Sequence, residues 1–380
     1  MKTIKRLFPA IFLIALLIQS CELNELNSPE ENMGILPDRF KIDIPGSLSS
    51  DLKSGSISQK STASVQVDTL NGNGIYAHLT NFIAIGEAGA EIIENIILAI
   101  ALYDIDEPMT LSFESNDDGR VKNLVVEEGG EYADRMWNYV LTITDADSET
   151  DPDGGKALQI FWNTGTIEGI AILRPYHIDR VHDREALDAV IRLEYSEAGT
   201  SEYDAYMIVE IAGMPMPDPR LDPYALNSLK MYVGKSGDRI DIFGNSDHPN
   251  ASFFTEKTGF NWAFVASGYD SKDIGVAEVG LPPSTLDETD REILLKDYSI
   301  KNVLTEEINQ WFIDEIGLRP DSSDLAVYLR NADAPGFFAD HGFVQGGVSP
   351  GEEYDELVNQ IDKLSPFNPK SVNELQINFN

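Results

Sequence analysis

The spacing of apolar and polar residues changes its period along this chain, and each change marks a different kind of element. Over residues 78–103 apolar side chains cover most of a helical surface, while Glu87, Glu91 and Glu94 fall on one narrow stripe. A polar stripe this narrow is typical of a helix that is buried on most sides. The pattern predicts a central core helix, and its carboxylate row is a candidate lining for a ligand cavity.

Beyond Pro108 the period changes to two, which is typical of strands. Two alternating runs, 109–114 and 121–126, flank the turn sequence Asn116-Asp117-Asp118-Gly119 and predict a hairpin. Further strand-like runs follow at short intervals: 137–144, 157–162, 167–173, 189–195, 205–211, 226–233, 239–243, 261–267 and 274–279. Parallel strands would need crossover helices between them, so these runs predict an antiparallel meander.

After Pro282-Pro283 the pattern becomes helical again, with a candidate cap at Thr305 and a candidate helix end at Gly317. We expect a helix and an antiparallel β domain over 71–281 and a helical C-terminal region over 282–380. The predicted fold class is α+β and mostly antiparallel, with a curved sheet or incomplete barrel around the first helix. This element order is similar in outline to lipoprotein carriers of the bacterial envelope, whose incomplete barrels enclose an apolar cavity beside a helix.

The start of the chain has the pattern of a bacterial export signal. Three positive charges precede an apolar run over residues 7–18, and the segment closes with Ile18-Gln19-Ser20-Cys21. This arrangement resembles the signal peptidase II lipoproteins of bacteria. The resemblance implies that Cys21 is acylated and that residues 1–20 are removed. The apolar run is too short for a bilayer span, which needs about 20 residues, so we expect attachment through lipid.

Residues 21–70 have few large apolar side chains and are rich in Ser, Asn, Gly and acidic residues, which predicts a flexible tether. Within it, Asp68-Thr69-Leu70 resembles the O-glycosylation acceptor of envelope proteins in Bacteroidota, which implies a glycan on Thr69. The acidic residues that follow Cys21 are compatible with the surface-exported lipoproteins of the same phylum. We expect an outer-membrane location and leave the leaflet, periplasmic or surface-facing, open.

The net charge argues against one class of partner, and the single cysteine argues against sites that depend on thiols. The formal net charge of the 380-residue chain is −36, and such a surface repels phosphate backbones, so nucleic acid is a poor partner. Cys21 is the single cysteine, and once it carries lipid no thiol is left for a disulfide, an iron–sulfur cluster or a thiolate zinc site. The membrane (through the anchor), an apolar small molecule, a glycan or another envelope protein remain as partners.

One acidic run is a candidate calcium site. Asp145, Asp147, Asp151 and Asp153 lie within residues 145–155, and closely spaced carboxylates suit the hard oxygen preference of Ca²⁺. The run resembles an EF-hand loop only loosely, because Pro152 stands where that loop requires glycine. Its other interpretation is an exposed loop between two strands.

A second candidate metal site contains His177, Asp179, His182 and Asp183, in a chain with five histidines. Imidazole and carboxylate ligands suit zinc or iron, and open coordination positions would permit metal-assisted hydrolysis. On a strand, His182 would point away from the face that His177 and Asp179 share, so a single metal ion requires a turn between them. The alternative is a polar loop with paired surface charges.

The sequence contains no Gly-x-Ser-x-Gly elbow and no glycine-rich phosphate loop. We therefore expect a lipid-anchored, non-enzymatic envelope protein that binds an apolar or amphipathic ligand or another envelope component. A metal-dependent hydrolase at 177–183 is the first alternative. A calcium-stabilised glycan-binding or adhesive surface module is the second.

Overall fold

The computed structural model describes residues 40–49, 71–101, 107–116, 118–181, 186–340 and 342–380. The predicted signal peptide, Cys21, Thr69, His182 and Asp183 lie outside these residues. The fold is mostly antiparallel sheet with helices, at about 34% strand and 26% helix. The expectation of a largely antiparallel fold with helices is therefore confirmed.

The first helix, α1, spans Gly72–Ala101 and so begins before the predicted start at residue 78. The Asn71 side chain accepts a hydrogen bond from the Gly74 N–H at 3.3 Å and satisfies one of the free donors at the helix start. Apolar side chains are buried along most of its length: Ile75, Tyr76, Leu79, Phe82, Ile83, Ala90, Ile93 and Ile97. In the described part of the chain, no helix is long and apolar enough to cross a membrane.

Thirteen strands form one sheet in which each strand pairs antiparallel with its neighbours in sequence, and the sheet is not closed. The strands are β1 (Met109–Glu114), β2 (Val121–Tyr132), β3 (Arg135–Asp145), β4 (Lys156–Asn163), β5 (Glu168–Leu173), β6 (Val190–Ser196), β7 (Ala205–Ala212), β8 (Ser228–Ser236), β9 (Arg239–His248), β10 (Phe260–Tyr269), β11 (Ile274–Gly280), β12 (Gly336–Ala339) and β13 (Gly342–Gly346). A short helix, α2 (Pro175–Ile178), follows β5. Every predicted strand run coincides with one of β1–β11, whereas β12 and β13 were not predicted.

Helix α1 packs on one face of the sheet, which we call the inner face. Gly86 lies against Met231 of β8, and Gly89 lies against Ile191 of β6. Near the start of the helix, Tyr76 stacks on Phe343 of β13 with ring centroids 4.7 Å apart. Because glycine has no side chain, Gly86 and Gly89 let the helix backbone approach the strands closely.

Residues 40–49 fall inside the predicted tether, and they are packed into the core. Phe40 and Leu48 are fully buried. The Phe40 ring stacks on Tyr195 at 5.7 Å, and Leu48 lies over Gly268 and Gly275. These contacts place the segment at the end of the sheet where β6 ends and β10 turns into β11. Residues 40–45 form no strand, and residues 46–49 form a turn in which the Leu48 N–H donates to the Pro45 carbonyl at 2.9 Å.

The described residues of 282–380 supply β12 and β13, a π-helical turn (Ile293–Asp297), a 3-10 turn (Glu352–Tyr354) and four α-helices: α3 (Ile300–Ile316), α4 (Ser322–Tyr328), α5 (Asp355–Ile361) and α6 (Pro369–Asn373). Ser299 caps α3 by accepting a hydrogen bond from the Asn302 N–H, and Gly317 ends it in the left-handed conformation. The predicted end at Gly317 is confirmed. The predicted cap at Thr305 is wrong, because Thr305 lies inside the helix and its hydroxyl donates to the Lys301 carbonyl at 2.6 Å.

The C-terminal segment crosses the opposite face of the sheet, which we call the outer face. Helix α5 packs on β10 and β11, and α6 is held where the Ser228 hydroxyl donates to the Val372 carbonyl at 2.7 Å. Residues 374–380, which we call the tail, then run towards β4, where Gln159 accepts a hydrogen bond from the Asn380 N–H at 2.8 Å. The end of the chain is thereby fixed against strands from its first half.

Candidate functional site

Three connections between strands meet at one end of the sheet. They are the β1–β2 turn (115–120), the β3–β4 loop (145–155) and the segment containing α2 (174–181). Alternate connections of an antiparallel meander lie at the same end, so the acidic run and the His177 segment come together. We call the charged side chains gathered there the loop cluster: Asp118, Arg120, Lys122, Asp145, Asp147, Asp151, Asp153, Arg174, His177 and Arg180.

Asp145 is the fully buried centre of the loop cluster. Arg120 donates to it from Nε at 2.6 Å and from Nη2 at 2.7 Å, and Lys122 Nζ donates at 3.0 Å. Burial opposes ionisation of Asp145, but these cationic donors outweigh it and hold its pKa well below the ordinary value. Asp145 therefore acts as a structural anion, and its oxygens are already in use.

Lys122 is a nearly buried cation, with 3% of its side chain exposed. Its ammonium group donates to Asp118 at 3.0 Å, to Asp145 at 3.0 Å and to the His177 carbonyl at 2.8 Å. A buried ammonium is strongly unfavourable unless it is paired and hydrogen-bonded. These three bonds therefore lock the β1–β2 turn, the end of β3 and α2 into one frame.

His177 lies on this frame beside two carboxylates. Its Nε2 is 3.8 Å from Asp151 Oδ2, and its Nδ1 is 3.9 Å from Asp153 Oδ2. One ligand atom from each of the three side chains lies within 4.8 Å of the others. An imidazole and two carboxylates at this separation could hold a metal ion. The group takes residues from both candidate sites that the sequence presents separately.

The β3–β4 loop reaches His177 because two successive glycines turn it. Gly154 and Gly155 have φ of 69° and 71°, a conformation that disfavours side chains. A Cβ at Gly155 would also lie 2.7 Å from the Ser148 carbonyl carbon. Asp153 Oδ1 accepts a hydrogen bond from the Gly155 N–H at 3.0 Å, which leaves Oδ2 directed towards the imidazole. The double glycine thus sets the position of one candidate ligand.

Two guanidinium groups lie on the same carboxylates. Arg174 Nη1 is 3.1 Å from Asp153 Oδ2, and Arg180 Nη2 is 3.4 Å from Asp151 Oδ2. Arg180 also stacks on the Tyr176 ring at 4.4 Å. A metal ion at this position therefore competes with two flexible cations for the carboxylate oxygens.

The other predicted ligands are not part of this group. Asp147 is exposed and lies 3.6 Å from Arg120, while Asp179 is buried and accepts a hydrogen bond from the Val181 N–H at 2.9 Å. Of the two predicted ligands in 177–183 that the structure describes, His177 belongs to the three-residue group and Asp179 does not.

A second feature is a cleft on the outer face, between the tail and strands β6–β8. Its volume is about 510 Å³. It is lined by Tyr132, Ala133, Arg192, Glu194, Ile208, Glu210, Lys230 and residues 376–380. We call it the outer-face cleft.

A row of alternating charges forms the floor of the outer-face cleft. Arg192 donates to Glu210 at 2.9 Å and to Glu194 at 2.6 Å, and Lys230 lies 2.8 Å from Glu210. Arg135 donates to the other oxygen of Glu194 at 2.8 Å. Arg192, Glu210 and Lys230 are direct cross-strand partners, so the register of the sheet creates this row.

Guanidinium groups stabilise the ionised form of one carboxylate in this row. Burial raises the pKa of Glu194, but Arg135 and Arg192 outweigh burial and lower it below its usual value. Burial raises the pKa of the neighbouring Tyr132 and Tyr206 phenols. Among the residues that line the cleft, Arg192 and Lys230 balance Glu194 and Glu210, so the cleft is a polar, hydrogen-bonding patch without net side-chain charge.

No known family, curated protein or solved structure matches this chain. Any functional interpretation therefore depends on its own residues and geometry.

The outer-face cleft was missed from sequence, although a signal for it exists. Arg192, Glu210 and Lys230 each interrupt the apolar pattern of a strand at a position that alternates away from the core. Single charged residues of this kind are normally solvated, and only the pairing of β6, β7 and β8 places the three side by side.

The carboxylate row of α1 lines neither feature. Glu87 accepts a hydrogen bond from the Ser49 hydroxyl at 2.7 Å and lies 3.7 Å from Lys41, so it anchors the buried N-terminal segment. Glu91 and Glu94 are half-buried along the same helix.

Proposed function

We propose that this chain is a lipid-anchored protein of the bacterial cell envelope that binds a polar envelope component and catalyses no reaction. The outer-face cleft carries this proposal. Its volume of about 510 Å³ falls within the range of about 300 to 1,000 Å³ that is usual for small-ligand sites. Charged, phenolic and amide groups line it, and these fit a polar ligand.

The inner face gives less support to an apolar ligand. The sheet-facing side chains of α1 are buried against strand residues, for example Phe82 against Trp262 at 5.6 Å. Gly86 and Gly89 bring the helix into contact with β6 and β8. The space beside the helix is thus used by side chains, so we favour a ligand on the outer face over one beside α1.

A glycan is the envelope component that fits this chemistry best. Tyr206 stacks on Tyr232 with ring centroids 5.7 Å apart, and Tyr232 stacks on Phe243 at 4.7 Å. These three aromatic rings lie next to the charged floor of the cleft. Aromatic rings offer flat surfaces for sugar rings, while Arg192 and Glu194 can bond to sugar hydroxyls. Arg192 and Lys230 are the groups with which an acidic sugar would pair.

We also propose that the sheet curves around α1 as an incomplete barrel. Contacts of α1 at two separate places support this arrangement. Gly89 lies against β6 and β7, while Tyr76 lies against β12 and β13. In a flat sheet β6 and β13 would lie about 34 Å apart, at about 4.8 Å per strand, whereas Gly89 and Tyr76 are separated by only about 20 Å along the helix.

The proposed anchor determines which end faces the membrane. Residues 22–39 separate Cys21 from Phe40, a span of at most about 65 Å when fully extended. Because Phe40 is packed at the end opposite the loop cluster, that end would lie towards an outer-membrane leaflet. The outer-face cleft would then lie on the side of the molecule, accessible to other envelope components.

The test is binding of the mature, lipidated chain in detergent to soluble peptidoglycan fragments and purified envelope polysaccharide. We expect saturable binding to an acidic glycan, reduced about tenfold by Lys230→Gln, because a charge-assisted hydrogen bond contributes about 1.5 to 3 kcal/mol. Lys272→Gln, at an exposed position on the β10–β11 turn, is the matched control. Native mass spectrometry that finds a co-purifying lipid, or binding unchanged by Lys230→Gln, would contradict the proposal.

A further inference from the structure

The protonation of His177 is determined by its surroundings. Nδ1 lies 3.0 Å from the Lys156 carbonyl oxygen. A carbonyl only accepts, so Nδ1 carries the hydrogen and Nε2 carries a lone pair in the neutral ring. The lone pair on Nε2 is therefore the one available to a cation.

That lone pair lies near another acceptor. Nε2 is 3.8 Å from Asp151 Oδ2, and the His177 side chain is only 4% exposed. Asp153 Oδ2 is also buried and makes no hydrogen bond of normal geometry, although Arg174 Nη1 lies 3.1 Å away. A cation between the imidazole nitrogen and the carboxylate oxygens would bind acceptors from both. The buried imidazole, held by Lys156 through its other nitrogen, is an observation in addition to the clustering of acids.

From this geometry we propose that Asp151, Asp153 and His177 bind one divalent transition-metal ion, of the zinc or manganese class, through His177 Nε2. A metal-ligating histidine characteristically donates its other ring N–H to a carbonyl or carboxylate, as His177 does to Lys156. The site is separate from the outer-face cleft, with which it shares no lining residue.

The donor set selects the class of metal. Calcium takes oxygen ligands, so an imidazole nitrogen in the set disfavours it. Imidazole with carboxylates suits zinc, manganese and iron. In a tetrahedral site with bonds of about 2.0 to 2.1 Å, ligand atoms lie about 3.4 Å apart. The 3.8 Å from Nε2 to Asp151 Oδ2 therefore needs only a small closure.

Two nearby guanidinium groups compete with the metal ion for the carboxylate oxygens. Binding of the metal displaces Arg180 from Asp151 and Arg174 from Asp153, at which they lie 3.4 and 3.1 Å away. Both guanidiniums can move, since their side chains are 19% and 27% exposed. Removing one of these competing charges should tighten binding, whereas a purely acidic surface site would respond less to the identity of one arginine.

The experiment is calorimetric titration of the chelator-treated, mature chain with ZnCl₂, MnCl₂ and CaCl₂ separately. Metal content per chain is measured after gel filtration. We expect one zinc or manganese per chain. Asp151→Asn should weaken binding by about 100-fold or more, since loss of even an outer partner of a metal ligand costs about 10- to 100-fold. Asp151 is 43% exposed, so this variant should fold.

Two further variants test whether metal binding depends on this site or on the general acidity of the loop. Asp147→Asn removes an acid from the same loop, 70% exposed, and should leave binding unchanged. Arg180→Gln should increase the affinity. NMR of the wild-type ring should show Nε2, not Nδ1, of His177 as the metallated nitrogen. Absence of binding, calcium binding in preference to zinc and manganese, or equal losses in Asp151→Asn and Asp147→Asn would overturn the proposal.

Discussion

At the scale of single residues, Asp247 shows how a hydrogen-bond chain determines the surroundings of a buried charge. The Phe367 N–H donates to Asn245 Oδ1 at 2.7 Å, and Asn245 Nδ2 donates to Asn261 Oδ1 at 2.7 Å. Asn261 is the cross-strand partner of Asp247, and its Nδ2 makes no hydrogen bond of normal geometry. The Asp247 carboxylate is fully buried, and neither of its oxygens makes a hydrogen bond of normal geometry.

Asp247→Asn should therefore stabilise the protein at neutral pH. Burial raises the pKa of Asp247, only partly opposed by the Ser284 hydroxyl. A raised pKa means that its contribution to stability is present below the unfolded value and is lost as pH rises. We expect a gain of about 1 to 3 kcal/mol at pH 7, which shrinks towards pH 4. Urea unfolding at both pH values measures it.

The exposed Glu315→Gln provides the control for removal of one negative charge, since Glu315 lies on the solvent side of α3. Equal gains in the two variants would mean that relief of net charge, and not the buried carboxylate, explains the effect.

His248 should make the protein sensitive to acid. Its Nδ1 lies 2.9 Å from the Tyr224 carbonyl and its Nε2 2.8 Å from the Ser246 hydroxyl, and burial lowers its pKa to about 3. Because the pKa of His248 is lower in the folded state than in the unfolded state, its full contribution to the free energy of unfolding is present above pH 6.5. That contribution is lost as pH falls towards 3. The loss is on the order of 5 kcal/mol. Ring NMR should show His248 neutral at pH 4.5, and protonation near pH 6 would contradict this expectation.

At the scale of elements, the strands were the most predictable part of the chain. Alternation of apolar and polar residues marks strands such as β1, whereas β4, β5 and β10 are buried on both faces and are recognised as short apolar runs between turns. The pattern fails for β12 and β13. Gly336, Gly342 and Gly346 occupy much of these short strands, and strand pairing with β11 decides their conformation. Tertiary contacts override weak local preference there.

Two glycines of α1 provide a matched test of its packing. A Cβ on Gly89 would find ordinary contacts, the nearest at 3.5 Å, whereas a Cβ on Gly86 would lie 2.6 Å from the Met231 methyl. Gly89→Ala should raise stability by about 0.5 to 1 kcal/mol, the helical preference for alanine. Gly86→Ala should gain less or lose stability, because Met231 must move. Thermal unfolding of the two variants distinguishes these outcomes, and equal gains would show that α1 does not pack closely on β8.

At the scale of the whole molecule, the chain joins distant segments at both ends of the sheet. Ser47 N–H donates to Asp273 at 2.6 Å from a position 226 residues away, and Asn380 bonds to Gln159 across 221 residues. Residues 40–49 and the tail therefore belong to the same cooperative unit as the sheet.

Leu48→Ala tests whether residues 40–49 contribute to the same cooperative unit as the sheet. Leu48 is fully buried over Gly268 and Gly275, so truncation should cost about 2 to 5 kcal/mol, as for other buried leucines. Leu318→Ala, at a leucine that is 69% exposed, should change stability by less than about 0.5 kcal/mol. Equal small effects, measured by denaturant unfolding of the mature chain, would show that residues 40–49 behave as part of a flexible tether.

The sequence by itself determined most elements of this protein, though not β12 and β13, and the residue types of the candidate metal centre. Strand alternation, the apolar surface of α1 and the end of α3 at Gly317 depend on neighbours within a few positions, so local pattern reveals them. Asp151, Asp153 and His177 were all recognised as potential ligands for the same reason, since their chemistry is visible in the sequence.

Only the tertiary structure decided which of these residues meet. Asp145 and His177 are 32 positions apart, and the antiparallel order of β3, β4 and β5 brings their loops to one end of the sheet. The same pairing places Asp145 against Arg120 and Lys122. It places Asp151 and Asp153 beside the imidazole of His177. Strand register likewise assembles Arg192, Glu210 and Lys230 into one row. Such contacts depend on pairing between distant segments, which no local pattern encodes.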